Sequence, residues 1–209
     1  MKSYFLVVIL AVLVCAHPAR SQIVNGGFED GLNGWTQSGA AQVGVVSSYD
    51  VMDSNNIIVL KTFIPVEQSF FAVIPTGGSF TQILQSVTVN AGQTISGNYF
   101  FATRDYGQYD DRASINLVPA SDSGLSTIGL VGIGASDVGD EGFTQDWIAF
   151  CHTFTSTQAG RYDLVCRVDD AFDPLYPSYL GVDNLAITPE PASLLFLAVG
   201  ALRLINRRD

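Results

Sequence analysis

The chain has 209 residues and a formal net charge of −10, because 20 acidic residues outnumber 10 basic ones. Apolar residues make up 47% of the sequence and charged residues only 14%. A nucleic-acid-binding domain needs a basic face, so this balance excludes nucleic acid as a partner. The apolar fraction can supply a core, which argues against an intrinsically disordered chain.

The charge is divided unevenly along the chain. Residues 22–188 contain eighteen acidic and five basic residues, a formal charge of −13, whereas the segments 1–21 and 189–209 are each net positive. In both end segments the basic residues lie beside an apolar run. We therefore predict two targeting segments around one acidic domain.

The first segment, residues 1–21, has the pattern of a secretory signal peptide. Lys2 precedes the apolar run Tyr4–Ala16, and small residues then offer cleavage positions before His17 or Gln22. This order of basic start, apolar stretch and small residues predicts an N-terminal signal helix that directs export. A buried helix or an uncleaved anchor is the alternative interpretation.

Residues 22–188 are predicted to form one domain made of strands. Runs rich in Val, Ile, Thr and Phe recur between turn signals such as Asn90-Ala91-Gly92. The nine predicted strands are Ala41–Val46, Ile57–Ile64, Phe80–Val89, Thr94–Thr103, Ala113–Val118, Leu125–Ile133, Trp147–Thr155, Arg161–Val168 and Tyr179–Ile187. Short strands at this spacing predict an all-β sandwich or barrel.

Two stretches at the edges of this domain resemble a known family. The segment Asn25–Trp35 resembles the opening, and Tyr179–Leu185 the closing strand, of galactose-binding-like jelly rolls and carbohydrate-binding modules. The resemblance implies a single jelly-roll β-sandwich of roughly nine strands. It also implies that Glu29 and Asp183 share one structural Ca²⁺ with main-chain oxygens. The alternative is a Glu that caps a turn and an Asp in a surface strand.

The loop between Arg104 and Arg112 is the candidate ligand-binding site. It carries two aromatic rings, Tyr106 and Tyr109, together with the carboxylates of Asp105, Asp110 and Asp111. Flat aromatic faces bordered by carboxylates can stack on sugar rings and bind their hydroxyl groups. A second loop holds Phe172, Tyr176 and Tyr179. Rings that merely cap the core are the alternative.

No catalytic residue is predicted. His152 is the single histidine of residues 22–188 and alternates with apolar residues along its strand, so neither a multi-histidine metal site nor a convincing catalytic triad is available. The acidic loops lack a spacing that would identify a glycosidase pair.

The cysteines Cys151 and Cys166 remain after export, and an oxidising route permits a disulfide between them. Strand phase, however, places the two thiols on diverging faces, so the bridge is only a possibility.

The last segment, residues 189–209, begins with Pro189-Glu190-Pro191. The uncharged run Ala192–Leu202 and three arginines follow. This order resembles a PEP-CTERM sorting signal, which implies an exosortase substrate held in the inner membrane of a Gram-negative-type bacterium that makes exopolysaccharide. Even to Ile205 the helix would measure about 21 Å against a hydrocarbon core of about 30 Å. Arg203 must therefore snorkel if this short transmembrane helix is to span, and a plain tail anchor is the alternative.

Three functions follow in order of preference. The first is an exported structural or adhesive protein of the cell envelope or extracellular matrix, with no catalytic activity. The second is a module that binds carbohydrate, with exopolysaccharide as its partner. The third, well behind, is an exported glycoside hydrolase.

Overall fold

The computed structural model describes residues 23–189, except residues 54, 107, 122 and 172–175. The predicted signal peptide, the predicted transmembrane helix, Glu190 and Pro191 lie outside the described residues. Within the described part, the longest helix is the single turn Ala135–Val138, and none is long and apolar enough to cross a membrane.

The described chain is an all-β structure, as the sequence predicts. One helical turn, α1 (Ala135–Val138), interrupts the strands, and a 3₁₀ turn spans Ser156–Gln158. The strands in the described residues are β1 (Thr36–Gly39), β2 (Gly44–Val46), β3 (Tyr49–Met52), β4 (Val59–Phe63), β5 (Phe71–Pro75), β6 (Phe80–Val89), β7 (Thr94–Thr103), β8 (Arg112–Pro119), β9 (Ile128–Gly134), β10 (Ile148–Thr153), β11 (Gly160–Asp169) and β12 (Ser178–Thr188). Every predicted strand has a counterpart, whereas β1, β3 and β5 were not predicted.

Two antiparallel sheets form the sandwich. The first sheet has the order β1-β6-β11-β8-β9, and the second has the order β10-β7-β12-β5-β2. Along β11, buried and half-buried residues alternate, which is the period-two pattern of a strand with one face on a core. The apolar faces of the two sheets meet in the main core, to which Ile83, Leu164 and Leu180 each contribute a fully buried side chain.

A second core lies on the other face of the second sheet. Strands β3 and β4 form a separate hairpin that packs over this face and buries Phe63 against Phe100 of β7. The two rings are stacked, with centroids 3.9 Å apart and planes 8° apart. Because this part of the sheet is covered on both faces, the four consecutive residues Phe71–Ile74 of β5 are all buried.

Gly181 permits the close packing of this second core. A Cβ atom at this position would lie 2.0 Å from Phe100 Cε1, far inside van der Waals contact. Glycine therefore allows the Phe100 ring to lie against β12, where Phe63 and Trp147 contact it.

The opening and closing segments meet, as the family resemblance implies. Leu185 N of β12 donates a 3.0 Å hydrogen bond to Gly26 O. A Cβ on Gly26 would lie 1.9 Å from Leu185 O, so this approach also requires glycine. Phe28, which is fully buried, stacks on Trp35 at 5.4 Å and anchors the opening turn in the main core.

Candidate functional site

The two acids of the predicted calcium site, Glu29 and Asp183, contact the same loop. Asp183 Oδ2 accepts hydrogen bonds from Val66 N at 2.7 Å and from Glu67 N at 3.4 Å. Glu29 Oε1 accepts two more, both at 2.9 Å, from Ser69 N and Phe70 N. The structure thus brings both predicted residues to one place, where their carboxylates bind the main chain of Val66–Phe70.

The surroundings of Asp183 shift the pKa of its carboxyl group in opposite directions. Asp183 is completely buried, and burial raises the pKa of its carboxyl group. The main-chain N–H donors lower that pKa, and the neighbouring charge of Glu29 raises it. Glu29 precedes β1 in the opening turn rather than lying in a strand.

The calcium ion that the family resemblance implies would share these carboxylates with main-chain donors. Calcium takes six to eight oxygen ligands, whereas here N–H groups donate to Asp183 Oδ2 and to Glu29 Oε1. Within the described residues, no three His, Cys, Asp or Glu side chains are grouped so that they could hold a metal. Calcium stays a prediction of the family resemblance, and the structure gives the same two acids another role.

The predicted tyrosine loop is only partly a surface. Tyr106 and Tyr176 are 37% and 43% exposed, and their rings meet edge to face at 5.8 Å. Tyr106 Oη donates a 3.2 Å hydrogen bond to Glu141 Oε1. An exposed aromatic pair and a carboxylate therefore lie together at the end of the sandwich where β7 ends and β12 begins.

Main-chain hydrogen bonds hold the segments of this end together. Arg104 N donates to Pro177 O, which joins the tyrosine loop to the segment before β12. Glu141 N donates to Asp105 O at 2.9 Å, which fixes the turn that carries the carboxylate. Tyr109 is half-buried, and its N–H closes a turn onto Tyr106 O at 2.8 Å.

The three aspartates of the loop support its framework. Asp105 and Asp111 are each 1% exposed, so their carboxylates lie beneath the surface of the loop, and their contact with a ligand stays a prediction. Asp105 Oδ1 accepts from Tyr106 N, and Asp111 Oδ1 accepts from Ala171 N at 2.9 Å. Asp110 binds Ser136 N through one oxygen and the Arg112 guanidinium through the other.

Burial raises the pKa of Asp111 to about 6, and the charges of Asp170 and Asp105 act in the same direction. Hydrogen bonds from Ala171 N and from the Ser178 side chain oppose this shift. Asp111 is therefore a buried carboxyl group that titrates closer to neutrality than an ordinary aspartate.

A cavity of about 240 Å³ opens at the same end of the sandwich, between the β3–β4 hairpin and the second sheet. Its walls include Tyr49, Asp50, Met52 and Asn56 from the hairpin, Arg104 just after β7, and Tyr179 of β12. We call it the hairpin cavity. The rings of Tyr49 and Tyr179 are 5.2 Å apart. Burial raises the pKa of both tyrosines, while the Arg104 charge lowers it.

The sequence did not reveal the hairpin cavity, and it placed the two tyrosines of the exposed pair in different loops. Tyr106 and Tyr176 are far apart in sequence, and Glu141 belongs to a third segment. Only the pairing of β7 with β12 brings these segments together, and no local pattern encodes it. Strand β3, which supplies most of the hairpin wall, was not predicted.

His152 lies on β10, at the edge of the second sheet. Its Nε2 lies 3.2 Å from Gln158 Oε1, and its ring meets the edge of Phe154 at 5.2 Å. These contacts agree with a structural histidine rather than a catalytic base.

The possible disulfide between Cys151 and Cys166 is not formed, because both thiols are free. Cys151 is exposed on β10 of the second sheet, whereas Cys166 is fully buried on β11 of the first. The two side chains therefore belong to different layers, and burial raises the pKa of the Cys166 thiol to about 12.

Comparison with known proteins supports the fold. No protein-family model and no curated protein sequence matches this chain. Among solved structures, TmCBM61 in complex with β-1,4-galactotriose is 18% identical, with a TM-score of 0.50, over 82% of this chain and 100% of that one. Identity at this level shows a shared fold alone: the described chain and that module are both β-sandwiches.

Two further solved structures are similar to a lesser degree. A family 16 carbohydrate-binding module is 17% identical with a TM-score of 0.47, over 80% of this chain and 99% of that one. The C-terminal family 22 module of Clostridium thermocellum Xyn10B is 14% identical with a TM-score of 0.46, over 84% of this chain and 98% of that one.

Proposed function

We propose that this domain is a non-catalytic carbohydrate-binding module that binds an uncharged glycan at the end of the sandwich where β7 ends and β12 begins. The observation that carries the proposal is the exposed pair of Tyr106 and Tyr176 beside the carboxylate of Glu141. Tyrosine rings stack on the apolar faces of sugars, and carboxylates accept hydrogen bonds from sugar hydroxyl groups.

The charge of the domain favours an uncharged glycan. Residues 22–188 carry a formal charge of −13, which repels an anionic polysaccharide at long range. TmCBM61, which shares the fold, holds a neutral galactose trimer. A purely structural or adhesive protein gives no reason for an aromatic pair, a carboxylate and a cavity to lie at the same end. The carbohydrate-binding hypothesis is therefore preferred to the adhesive one.

The test is glycan binding by the full-length protein, kept in a detergent without a sugar headgroup. We expect the protein to bind neutral oligosaccharides on a glycan array. Tyr106→Ala and Tyr176→Ala should each weaken the binding by about tenfold or more, the loss typical of a central aromatic contact. Val118→Ala, which truncates another exposed apolar residue, is the matched control and should bind as wild type does. Unchanged affinity in both tyrosine variants would contradict the proposed site.

We further propose that the module is exported and sorted by its C-terminal segment. Strand β12 ends at Thr188, so Pro189-Glu190-Pro191 follows the folded domain directly in sequence. The apolar run and the arginines after this triplet support an inner-membrane anchor that an exosortase-type enzyme recognises. A protein delivered in this way would meet exopolysaccharide at the cell surface.

A further inference from the structure

The hairpin cavity has the mixed chemistry of a sugar subsite. Tyr49, Tyr179 and Met52 give it apolar walls, and Arg104 adds a donor. Asp50 pairs with Thr62 and binds its hydroxyl group, so its exposed carboxylate lies on the face of the hairpin that points away from Tyr49. A sugar ring offers an apolar face and a rim of hydroxyl groups, so these walls match both of its parts.

The size of the cavity limits what it can hold. Small-molecule sites commonly measure about 300–1,000 Å³, and the hairpin cavity, with about 240 Å³, lies below this range. It therefore has room for one sugar ring rather than for a run of several.

The second core lies behind the Tyr49 wall of the cavity, because the Tyr49 ring stacks on Phe100 with centroids 5.6 Å apart. Phe63 of the hairpin stacks on Phe100 of the sheet, and both rings are at most 1% exposed. Trp147 packs edge-on against Phe100 at 4.9 Å, and its Nε1 donates a 2.8 Å hydrogen bond to Ile64 O beyond the hairpin. A glycan that enters the cavity therefore meets these packed aromatic rings beyond Tyr49.

From these features we infer that the hairpin cavity binds the terminal sugar residue of a neutral glycan, so that the module recognises chain ends rather than internal stretches. This inference rests on the proposed function and names the part of the glycan that is bound. The exposed tyrosines Tyr106 and Tyr176 then contact sugar residues next to the terminal one, outside the cavity.

The first test compares short and long chains of one linkage. The full-length protein is titrated with β-1,4-galactotriose and with β-1,4-galactan, and with xylohexaose and xylan, at equal concentrations of sugar residues. Recognition of chain ends predicts that affinity per sugar residue falls in proportion to chain length, because longer chains offer fewer ends. Equal or higher affinity per residue for the polymer would overturn the inference. If the wild-type protein bound neither these four probes nor any glycan on the array, the proposed function itself would fail.

The second test fills the cavity. Met52→Trp should weaken oligosaccharide binding at least about tenfold at an unchanged melting temperature, whereas Met52→Leu, which nearly conserves the volume, should bind as wild type does. Arg104→Gln, which removes the cationic donor from the cavity wall, gives a second readout if the tryptophan disturbs folding, and it should also weaken binding. Wild-type affinity in both Met52→Trp and Arg104→Gln, with binding lost in Tyr106→Ala, would remove the cavity from the site and leave the proposed function standing.

Discussion

Glu29 and Asp183, more than 150 residues apart in sequence, bind the same five-residue loop from its two ends. The Asp183 carboxylate accepts hydrogen bonds from the start of Val66–Phe70, and the Glu29 carboxylate accepts them from its end. The loop follows the β3–β4 hairpin, so the pair connects the opening turn, the last strand and the cover of the second core.

The first prediction concerns this pair. Asp183→Ala removes a buried acceptor and leaves Val66 N and Glu67 N without their partner. We expect the free energy of unfolding to fall by about 1.5–3 kcal/mol, the usual contribution of hydrogen bonds to a charged group. Chemical denaturation measures the change. Asp163→Ala, which removes a strand carboxylate that accepts a hydrogen bond from the Ser86 hydroxyl, is the control. An equal loss of unfolding free energy in the two variants would show that the Asp183 carboxylate contributes no more than an ordinary strand carboxylate.

The second prediction concerns calcium. Because main-chain N–H groups already bind Glu29 Oε1 and Asp183 Oδ2 and hold the loop without a metal, we expect the same melting temperature in excess EDTA and in millimolar calcium. Thermal unfolding followed by circular dichroism provides the measurement. If calcium raised the melting temperature of the wild type but not of Asp183→Asn, the calcium site implied by the family resemblance would be restored.

The third prediction concerns Asp111. Its pKa is raised to about 6 from an ordinary 3.8, so between about pH 4 and pH 6 the folded state binds more protons than the unfolded state. The stabilisation that this group contributes is fully present below about pH 4. It is lost as the pH rises through 6, which lowers the free energy of unfolding by up to about 3 kcal/mol. Asp111→Asn cannot ionise but keeps an acceptor for Ala171 N.

Denaturation curves of the wild type and Asp111→Asn from pH 3.5 to pH 7.5 test this prediction. The difference between the two proteins isolates one carboxyl group from the eighteen acids of the domain. We expect the asparagine variant to gain stability relative to the wild type as the pH rises. A difference that stays constant across this range would show that Asp111 titrates as an ordinary aspartate.

The fourth prediction concerns Gly181. A methyl group there would lie 2.0 Å from the Phe100 ring, so Gly181→Ala must displace that ring from its stack with Phe63. We expect a loss of about 1–3 kcal/mol or more in the free energy of unfolding, the usual cost of overpacking. Gly132→Ala is the matched control, because a Cβ at Gly132 meets nothing within 4 Å. Comparable losses in both variants would indicate a backbone effect instead of a clash.

The fifth prediction concerns sorting. Replacing Pro189-Glu190-Pro191 by three alanines should cause unprocessed protein to accumulate in the inner membrane, since the triplet is proposed as the recognition motif. Fractionation and mass measurement of the C-terminus follow the outcome. Normal processing of the variant would remove the sorting proposal.

Local patterns in the sequence predict the regular strands well, and β6 and β7 have the predicted bounds. The strands that escaped prediction lack the usual alternation. In β1 all four residues are exposed, whereas the apolar residues of β5 are buried on both faces. Strand β3 is short and pairs only with β4 in the described part of the chain. A pattern rule based on one buried face cannot identify such strands.

The candidate site was less predictable for a related reason. The residue types were visible, since Tyr106, Glu29 and Asp183 all stood out in the sequence. Their partners were not, because Glu141, Tyr176 and the N–H groups of Val66–Phe70 reach them only through strand pairing and loop packing. The burial of Asp105 and Asp111 likewise depends on neighbouring segments rather than on the loop's own sequence.

The separation of the two cysteines has a practical consequence. Cys166 is buried in the core with its thiol protonated, so Cys151 is the one accessible thiol for attaching a probe within the described residues. It pairs with Ser96, seven residues along β7 from Thr103. At about 3.3 Å per residue, that is roughly 23 Å from the tyrosine end. A fluorophore on Cys151 would be close enough to report glycan binding by energy transfer and too far away to block it.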